Sequence, residues 1–120
     1  MRAKSTSPPQ PVVAYPALIG RILAHQRESQ GIKQGDLAAS LGLSQSAYSR
    51  LESGESVLNI SQLRNIAGRL GVHPSAVLTW AEQYEAQLRL QGVEIVAEKQ
   101  GNSAAIVIGL GLLAALLMSR

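Results

Sequence analysis

The chain has 120 residues, with 11 Lys and Arg against 8 Asp and Glu and a net charge of +3, so it has room for one small domain with tails but not for two full cores. Cysteine is absent, which excludes a disulfide framework, a cysteine-based zinc site and a thiol nucleophile. The modest positive charge permits nucleic-acid binding, whereas aromatic residues at 3% are too few for the stacking platforms that bind single strands.

Residues 1–15 are predicted to form a disordered N-terminal arm. This stretch is rich in proline, serine and basic side chains over residues 1–11 and has no apolar run of the kind that a secretory signal needs. A first helix is predicted to begin at Pro16 and to continue to about Gln30. Its inward-facing residues are Leu18, Ile19, Ile22 and Leu23.

Residues 34–52 predict two short helices joined by a tight turn. Leu37, Ala38 and Leu41 share one face of the first helix, which Gly42 can end by adopting a positive φ. Ser44 is placed to N-cap the second helix. That helix turns Ala47, Tyr48 and Leu51 inward and Gln45, Ser46, Ser49 and Arg50 outward. The outward side chains can donate to or accept from base edges and phosphates.

Two further helices are predicted after this motif. Asn59 can N-cap the fourth, in which apolar residues recur at spacings of three and four as far as Leu70. Pro74 can open the fifth. Its apolar stripe consists of Val77, Trp80, Tyr84 and Leu88, of which Trp80 is expected to anchor the core or an interface. The last two could contact a second copy of the chain or the C-terminal segment.

Residues 104–118 form an unbroken apolar run after a connector at residues 92–103. A helix that is apolar on every side needs apolar surroundings, which so small a domain is not expected to provide. A membrane anchor is the favoured interpretation, although such a helix spans only about 22 Å against a hydrocarbon core of about 30 Å. An oligomerisation segment is the alternative, and a β pairing of residues 93–97 with residues 104–108 is a third.

The motif resembles the helix-turn-helix of a known family. Leu37-Ala38, Gly42, Leu43, Tyr48 and Leu51 match in order and spacing the lambda-repressor-like, Cro-type (XRE-type) family of bacterial and phage DNA-binding proteins. The resemblance extends over residues 18–78 and includes a helix-opening Gln34 and the ending Glu52-Ser53-Gly54. It implies an all-α, five-helix domain at residues 16–91 and an ion pair between Arg27 and Glu52. Glu55 and Leu58 depart from the family, which carries basic residues and a proline there.

The resemblance also implies a function, that of a bacterial transcription regulator that binds double-stranded DNA sequence-specifically. Because one such domain covers few base pairs, a homodimer is predicted, held through the fifth helix, the apolar segment or both. The helix at residues 44–52 would enter the major groove, where Gln45, Ser46 and Arg50 would read bases. Gln34, Ser44, Ser49 and Lys33 would hold phosphates. No catalytic residue, cofactor or metal site is predicted, because His25 and His73 lie apart from any second ligand at suitable spacing.

Two other functions remain open. One is a membrane-anchored scaffold that uses the same fold to bind a protein partner, tethered on the cytoplasmic side of the inner membrane by residues 104–118. The other is an antitoxin-type regulator that binds DNA with the motif and a toxin with another segment. Glu55 and the apolar segment favour a protein partner, whereas the polar face of the second motif helix and the net positive charge favour DNA.

Overall fold

A computed structural model describes residues 10–97 and 103–119. Six helices and two short strands follow one another in these ranges. Their order is β1 (Val12–Ala14), α1 (Tyr15–Ser29), α2 (Gln34–Ser40), α3 (Gln45–Ser53), α4 (Ile60–Arg69), α5 (Pro74–Leu90), β2 (Glu94–Val96) and α6 (Ser103–Met118). The fold is mostly helical, as predicted, and the five predicted helices correspond to α1–α5.

Several helices begin at local sequence signals. The Oγ of Ser44 accepts the backbone N–H of Ala47 at 3.1 Å and caps α3. Asn59 and Gln62 form a reciprocal capping box at the start of α4, with bonds of 2.7 and 2.9 Å. Proline occupies the first turn of α1 and of α5, where the missing backbone N–H would have no helical partner anyway.

Helix α1 is central to the core. Its Leu18, Ile22 and Leu23 are at most 2% exposed. Gly20 lets the backbones of α1 and α3 approach closely, because a Cβ at this position would collide with the backbone carbonyl oxygens of Leu51 and Glu52. The remaining fully buried large side chains come from five other elements and are Val13, Tyr48, Ile66, Val77, Leu88 and Leu113.

Strands β1 and β2 form a parallel pair that the sequence did not predict. Val12 aligns with Glu94 and Ala14 with Val96, and the N–H of Glu94 donates to the carbonyl of Pro11 at 2.8 Å. The expected disorder of residues 1–15 is therefore wrong for residues 12–15, since β1 is paired and Val13 is fully buried. Residues 1–9 lie outside the described residues, as do residues 98–102 of the expected connector.

Helix α6 packs against its own domain along β1, α1 and α5. Leu113 is fully buried, Leu117 is 7% exposed, and a Cβ at Gly109 would collide with the carbonyl group of Val12. The proposed β pairing of residues 93–97 with residues 104–108 is wrong, because β2 pairs with β1 and α6 begins at Ser103. The expectation that the domain could not shelter this segment is also wrong for one face of the helix.

The opposite face of α6, which we call the outer face, stays exposed. It consists of Val107, Gly111, Ala114 and Met118, with Val107 68% and Met118 81% exposed. At 16 residues, α6 falls short of a membrane crossing, and no other helix in residues 10–97 or 103–119 is long and apolar enough for one.

Candidate nucleic-acid interface

Helices α2 and α3 are joined by the tight turn that the sequence predicts. The turn passes through Gly42, whose φ is +72°, a value that L side chains rarely adopt. The N–H of Leu43 donates a hydrogen bond to the carbonyl of Ala38 at 2.9 Å. Ala38 is 1% and Tyr48 0% exposed, so a small side chain and a large one are both buried where the two helices pack against the core.

The outer surface of α3 carries the side chains predicted to read bases. Gln45, Ser46 and Arg50 are exposed, and Ser49 is half-buried. The Oγ of Ser46 lies 3.4 Å from the Oγ of Ser44, so the cap is adjacent to this surface. The helix therefore presents amide, hydroxyl and guanidinium groups to solvent at its N-terminal end and along one side.

A buried ion pair ties α3 to α1. Arg27 Nε lies 2.8 Å from Glu52 Oε2, and Arg27 Nη2 lies 3.1 Å from Glu52 Oε1. The guanidinium also donates to the carbonyl of Ile32 at 2.8 Å. The two residues are only 8% and 6% exposed. This forked geometry fixes the last turn of α3 relative to α1 and to the loop before α2.

The environment of the pair keeps both groups charged at neutral pH. Burial raises the pKa of the Glu52 carboxyl, but the hydrogen bond from Arg27 and further favourable contacts outweigh burial, so this pKa lies below its ordinary value. The pKa of Arg27 is raised, chiefly by its hydrogen bond to Glu52. Burial, and secondarily Glu52, raises the pKa of the nearby Tyr48 hydroxyl. That hydroxyl has no hydrogen-bond partner of good geometry among the described residues.

Gln34 belongs to the same buried cluster. Its Nε2 donates to Glu52 Oε1 at 2.9 Å, while Gln34 itself is half-buried at the first residue of α2. Lys33 precedes it as an exposed N-cap residue without a side-chain cap. The two residues predicted to hold phosphate at this end of α2 are thus adjacent, and one of them also supports the ion pair.

The loop after α3 carries no positive charge. Residues 54–59 contain one ionisable side chain, Glu55, which is exposed. Val57 is 69% exposed, and Ile60, at the first turn of α4, is 85% exposed. Apolar and acidic groups thus stand directly beyond the helix that carries Arg50, and they would not bind a phosphate backbone.

Comparison with protein families shows what the helix-turn-helix segment is similar to. A family model described as helix-turn-helix matches residues 23–77. The matched segment is similar to this family and makes up less than half of the chain. The match begins within α1 and ends within α5, so β1, β2 and α6 lie outside the matched helix-turn-helix segment. No curated protein and no solved structure shows a significant match to the chain.

The match confirms the resemblance to the lambda-repressor-like helix-turn-helix family. This family is one of DNA-binding transcription regulators. In the helix-turn-helix domain described here, Gln45, Ser46 and Arg50 share the exposed surface of α3. His25 and His73 lie on α1 and just before α5, and the described residues contain no cluster of three or more potential metal ligands.

Two structural features of the helix-turn-helix domain were missed by sequence reasoning. One is Gln30, whose side-chain amide donates to the carbonyl of Leu70 at 2.7 Å and links the end of α1 to the end of α4. The other is the exposed apolar surface at Val57 and Ile60. Ile60 fits the spacing of the apolar residues of α4, but its side chain is exposed at the first turn of this helix.

Proposed function

We propose that this domain is a transcription regulator that binds duplex DNA sequence-specifically with α3 in the major groove. The observation that carries the proposal is the exposed surface of α3, where Gln45, Ser46 and Arg50 project from a helix whose opposite face is fixed in the core. A guanidinium can bond the two acceptors of guanine, and a glutamine amide can bond adenine in the same way. Each such pair discriminates against a wrong base by about 1–3 kcal/mol.

Phosphate contacts would set the position of α3 on the duplex. Lys33 is exposed at the N-cap of α2, and Ser44 and Ser49 are neighbours in sequence of the base-reading side chains on α3. Gln34 has two N–H groups on its amide, of which one donates to Glu52. The second is the group that we assign to a phosphate oxygen.

The outer face of α6 is the surface that we assign to the homodimer contact. Val77 and Leu88, in the apolar stripe of α5, are fully buried inside the domain, so neither is available to contact a second copy. Val107, Gly111, Ala114 and Met118 recur at spacings of four, three and four, which is the spacing of a helix-helix seam. An uncharged face of this kind can pack against its own copy across a two-fold axis.

The decisive experiment is a titration of Arg50→Ala on a selected DNA site and on random duplex DNA. We expect affinity for the selected site to fall about tenfold or more, as loss of a bidentate contact requires, while affinity for random DNA changes little. Arg69→Ala is the matched control, because Arg69 is an exposed cation in the last turn of α4. Equal losses on both DNAs would refute base reading by Arg50.

Protein binding is the competing function, and the loop after α3 is the observation that favours it. A DNA-facing loop would normally supply cations to the phosphate backbone, whereas this one presents Glu55 and Val57. A domain that bound only a protein would show no measurable, salt-dependent affinity for any duplex in the same titration.

A further inference from the structure

An apolar groove lies between the start of α1, the α3–α4 loop and the start of α5. We call it the α1–α4 groove, and it has a volume of about 480 Å³. Its walls include Tyr15, Ile19, Val57, Ile60, Leu63 and Leu78. None of the residues that line it carries a charge at neutral pH. The groove is separate from the exposed surface of α3 and from the outer face of α6.

Three apolar side chains in the walls of this groove are exposed to solvent instead of packed in the core. Val57, Ile60 and Leu78 are 69%, 85% and 42% exposed. The start of α4 is already secured by the capping box of Asn59 and Gln62, so an isoleucine directly after the cap adds nothing to the helix. Exposed apolar side chains that cluster in this way mark a surface that binds a ligand or another macromolecule.

The edge of the groove beside α5 is acidic. Glu82 and Glu85 follow the groove residue Leu78 by four and seven positions on α5, so all three lie on one face of the helix. Burial raises the pKa of the Tyr15 hydroxyl, and the carboxylates of Glu85 and Glu82 raise it further. Arg89 pairs with Glu85 at 2.8 Å, whereas Glu82 is an exposed residue one turn earlier on the helix. A ligand in the groove would therefore meet apolar walls and net negative charge along one side.

The apolar walls and the acidic edge of the groove favour one class of ligand over the others. Duplex DNA is disfavoured because the described lining of the groove offers no cation to its phosphates and Glu82 would repel them. A small molecule would lack the convergent polar groups that fix orientation in ligand pockets. A second copy could offer its outer face of α6, but that face has no cation to complement Glu82. An amphipathic helix satisfies both features, because its apolar side chains fill a groove while its flanking lysines or arginines meet the acidic edge.

We propose that the α1–α4 groove binds an amphipathic helix of a partner protein, one that carries lysine or arginine beside its apolar face. The N–H of Ser56 donates to the carbonyl of Arg50 at 3.1 Å, so the loop that forms one wall is attached to the C-terminal half of α3. The partner would thus lie next to the recognition helix. The proposal does not depend on DNA binding, since the groove and the base-reading surface use different side chains.

The test uses the full-length protein with labelled methyl groups and three synthetic helical peptides. One peptide has leucines on one face and lysines beside them, the second replaces each lysine by glutamate, and the third scrambles the lysine peptide. We expect saturable binding of the lysine peptide alone, with the largest methyl shifts at Val57, Ile60 and Leu78. The Ile60→Ser variant should lose affinity about tenfold or more, as a central apolar anchor does.

Leu90→Ser is the matched control, because Leu90 is 87% exposed on α5 and does not line the groove. It should leave the affinity unchanged. Equal binding of the lysine and glutamate peptides, or shifts centred on Val107 and Met118, would overturn the proposal. Groove shifts produced by duplex DNA, by anionic vesicles or by raising the protein concentration alone would overturn it as well, since each would identify a different ligand.

Discussion

The side-chain amide of Gln34 donates to Oε1 of Glu52 at 2.9 Å, on a carboxylate whose two oxygens also accept from Arg27. A residue at the start of α2 is thereby joined to the last turn of α3 through a buried charge. The two motif helices are therefore held together by this network as well as by apolar packing at the turn. A DNA phosphate bound by Gln34 would therefore be in direct contact with the network that positions α3.

Removal of Arg27 should destabilise the domain strongly. In Arg27→Met the carboxylate of Glu52 stays buried without its main partner, which costs about 3–5 kcal/mol. The Arg27→Met/Glu52→Leu double variant should recover a large part of that loss, because no lone charge remains. Urea unfolding of the wild type, both single variants and the double variant measures the coupling. Additive losses would contradict the proposed dependence of each charge on the other.

Acid should remove the contribution of the ion pair. Because the folded-state pKa of Glu52 lies below its ordinary value of 4.5, the folded form binds fewer protons than the unfolded chain near that pH. The stabilisation is therefore complete above pH 4.5 and is lost as the pH falls through the folded-state pKa. Unfolding titrations between pH 7 and pH 2 should show this loss in the wild type and a smaller one in Arg27→Met/Glu52→Leu.

Substitution of two helical glycines by alanine should have opposite effects. Gly20→Ala would force α1 away from the backbone of Leu51 and Glu52, and we expect a loss of about 2–3 kcal/mol, typical of overpacking. Gly68→Ala adds a methyl group to α4 where nothing lies within 4 Å, so it should stabilise by about 0.5–1 kcal/mol. Thermal unfolding compares the two. A neutral Gly20→Ala would mean that α1 and α3 do not approach as closely as described.

Charge on the outer face of α6 should separate the dimer without unfolding the domain. Val107→Asp places a carboxylate at the proposed seam on a residue that is 68% exposed, so the folded protomer should survive. We expect sedimentation at several concentrations to give a dimer for the wild type and a monomer for the variant. Leu90→Asp, on exposed α5 surface, should remain dimeric. A wild type that is monomeric throughout would refute this use of α6.

The sequence predicted those features that depend on neighbouring residues. The cap at Ser44, the turn at Gly42 and the capping residue Asn59 are all local, and each lies where it was expected. The strand pair could not be predicted, because Val12 and Glu94 meet only after the whole helical domain has brought them together. Contact of α5 with the C-terminal segment was one of two expectations for Tyr84 and Leu88. The packed face of α6 could not be predicted, because a helix that is apolar on every side gives no indication of which face is packed.

The functional sites also differ in how far the sequence predicts them. The exposure of Arg50 follows from helix periodicity, and the ion pair of Arg27 and Glu52 follows from the family resemblance. The α1–α4 groove does not follow from either, because it combines side chains from α1, the α3–α4 loop and α5. Its acidic edge depends on the packing of α5 beside Tyr15, and this packing cannot be predicted from a local sequence pattern.

The parallel pairing of β1 with β2 has a kinetic consequence. Helices α1–α5 can form through contacts between near neighbours, whereas the pairing of Val12 with Glu94 must close a loop that contains all of them, so it is expected late in folding. Helix α6 packs more extensively on β1 than on α1 or α5, so its docking is expected to be complete only after that strand is in place. For this interval both faces of an uncharged helix are open to solvent, which makes α6 the segment most exposed to aggregation or to capture by a chaperone during folding.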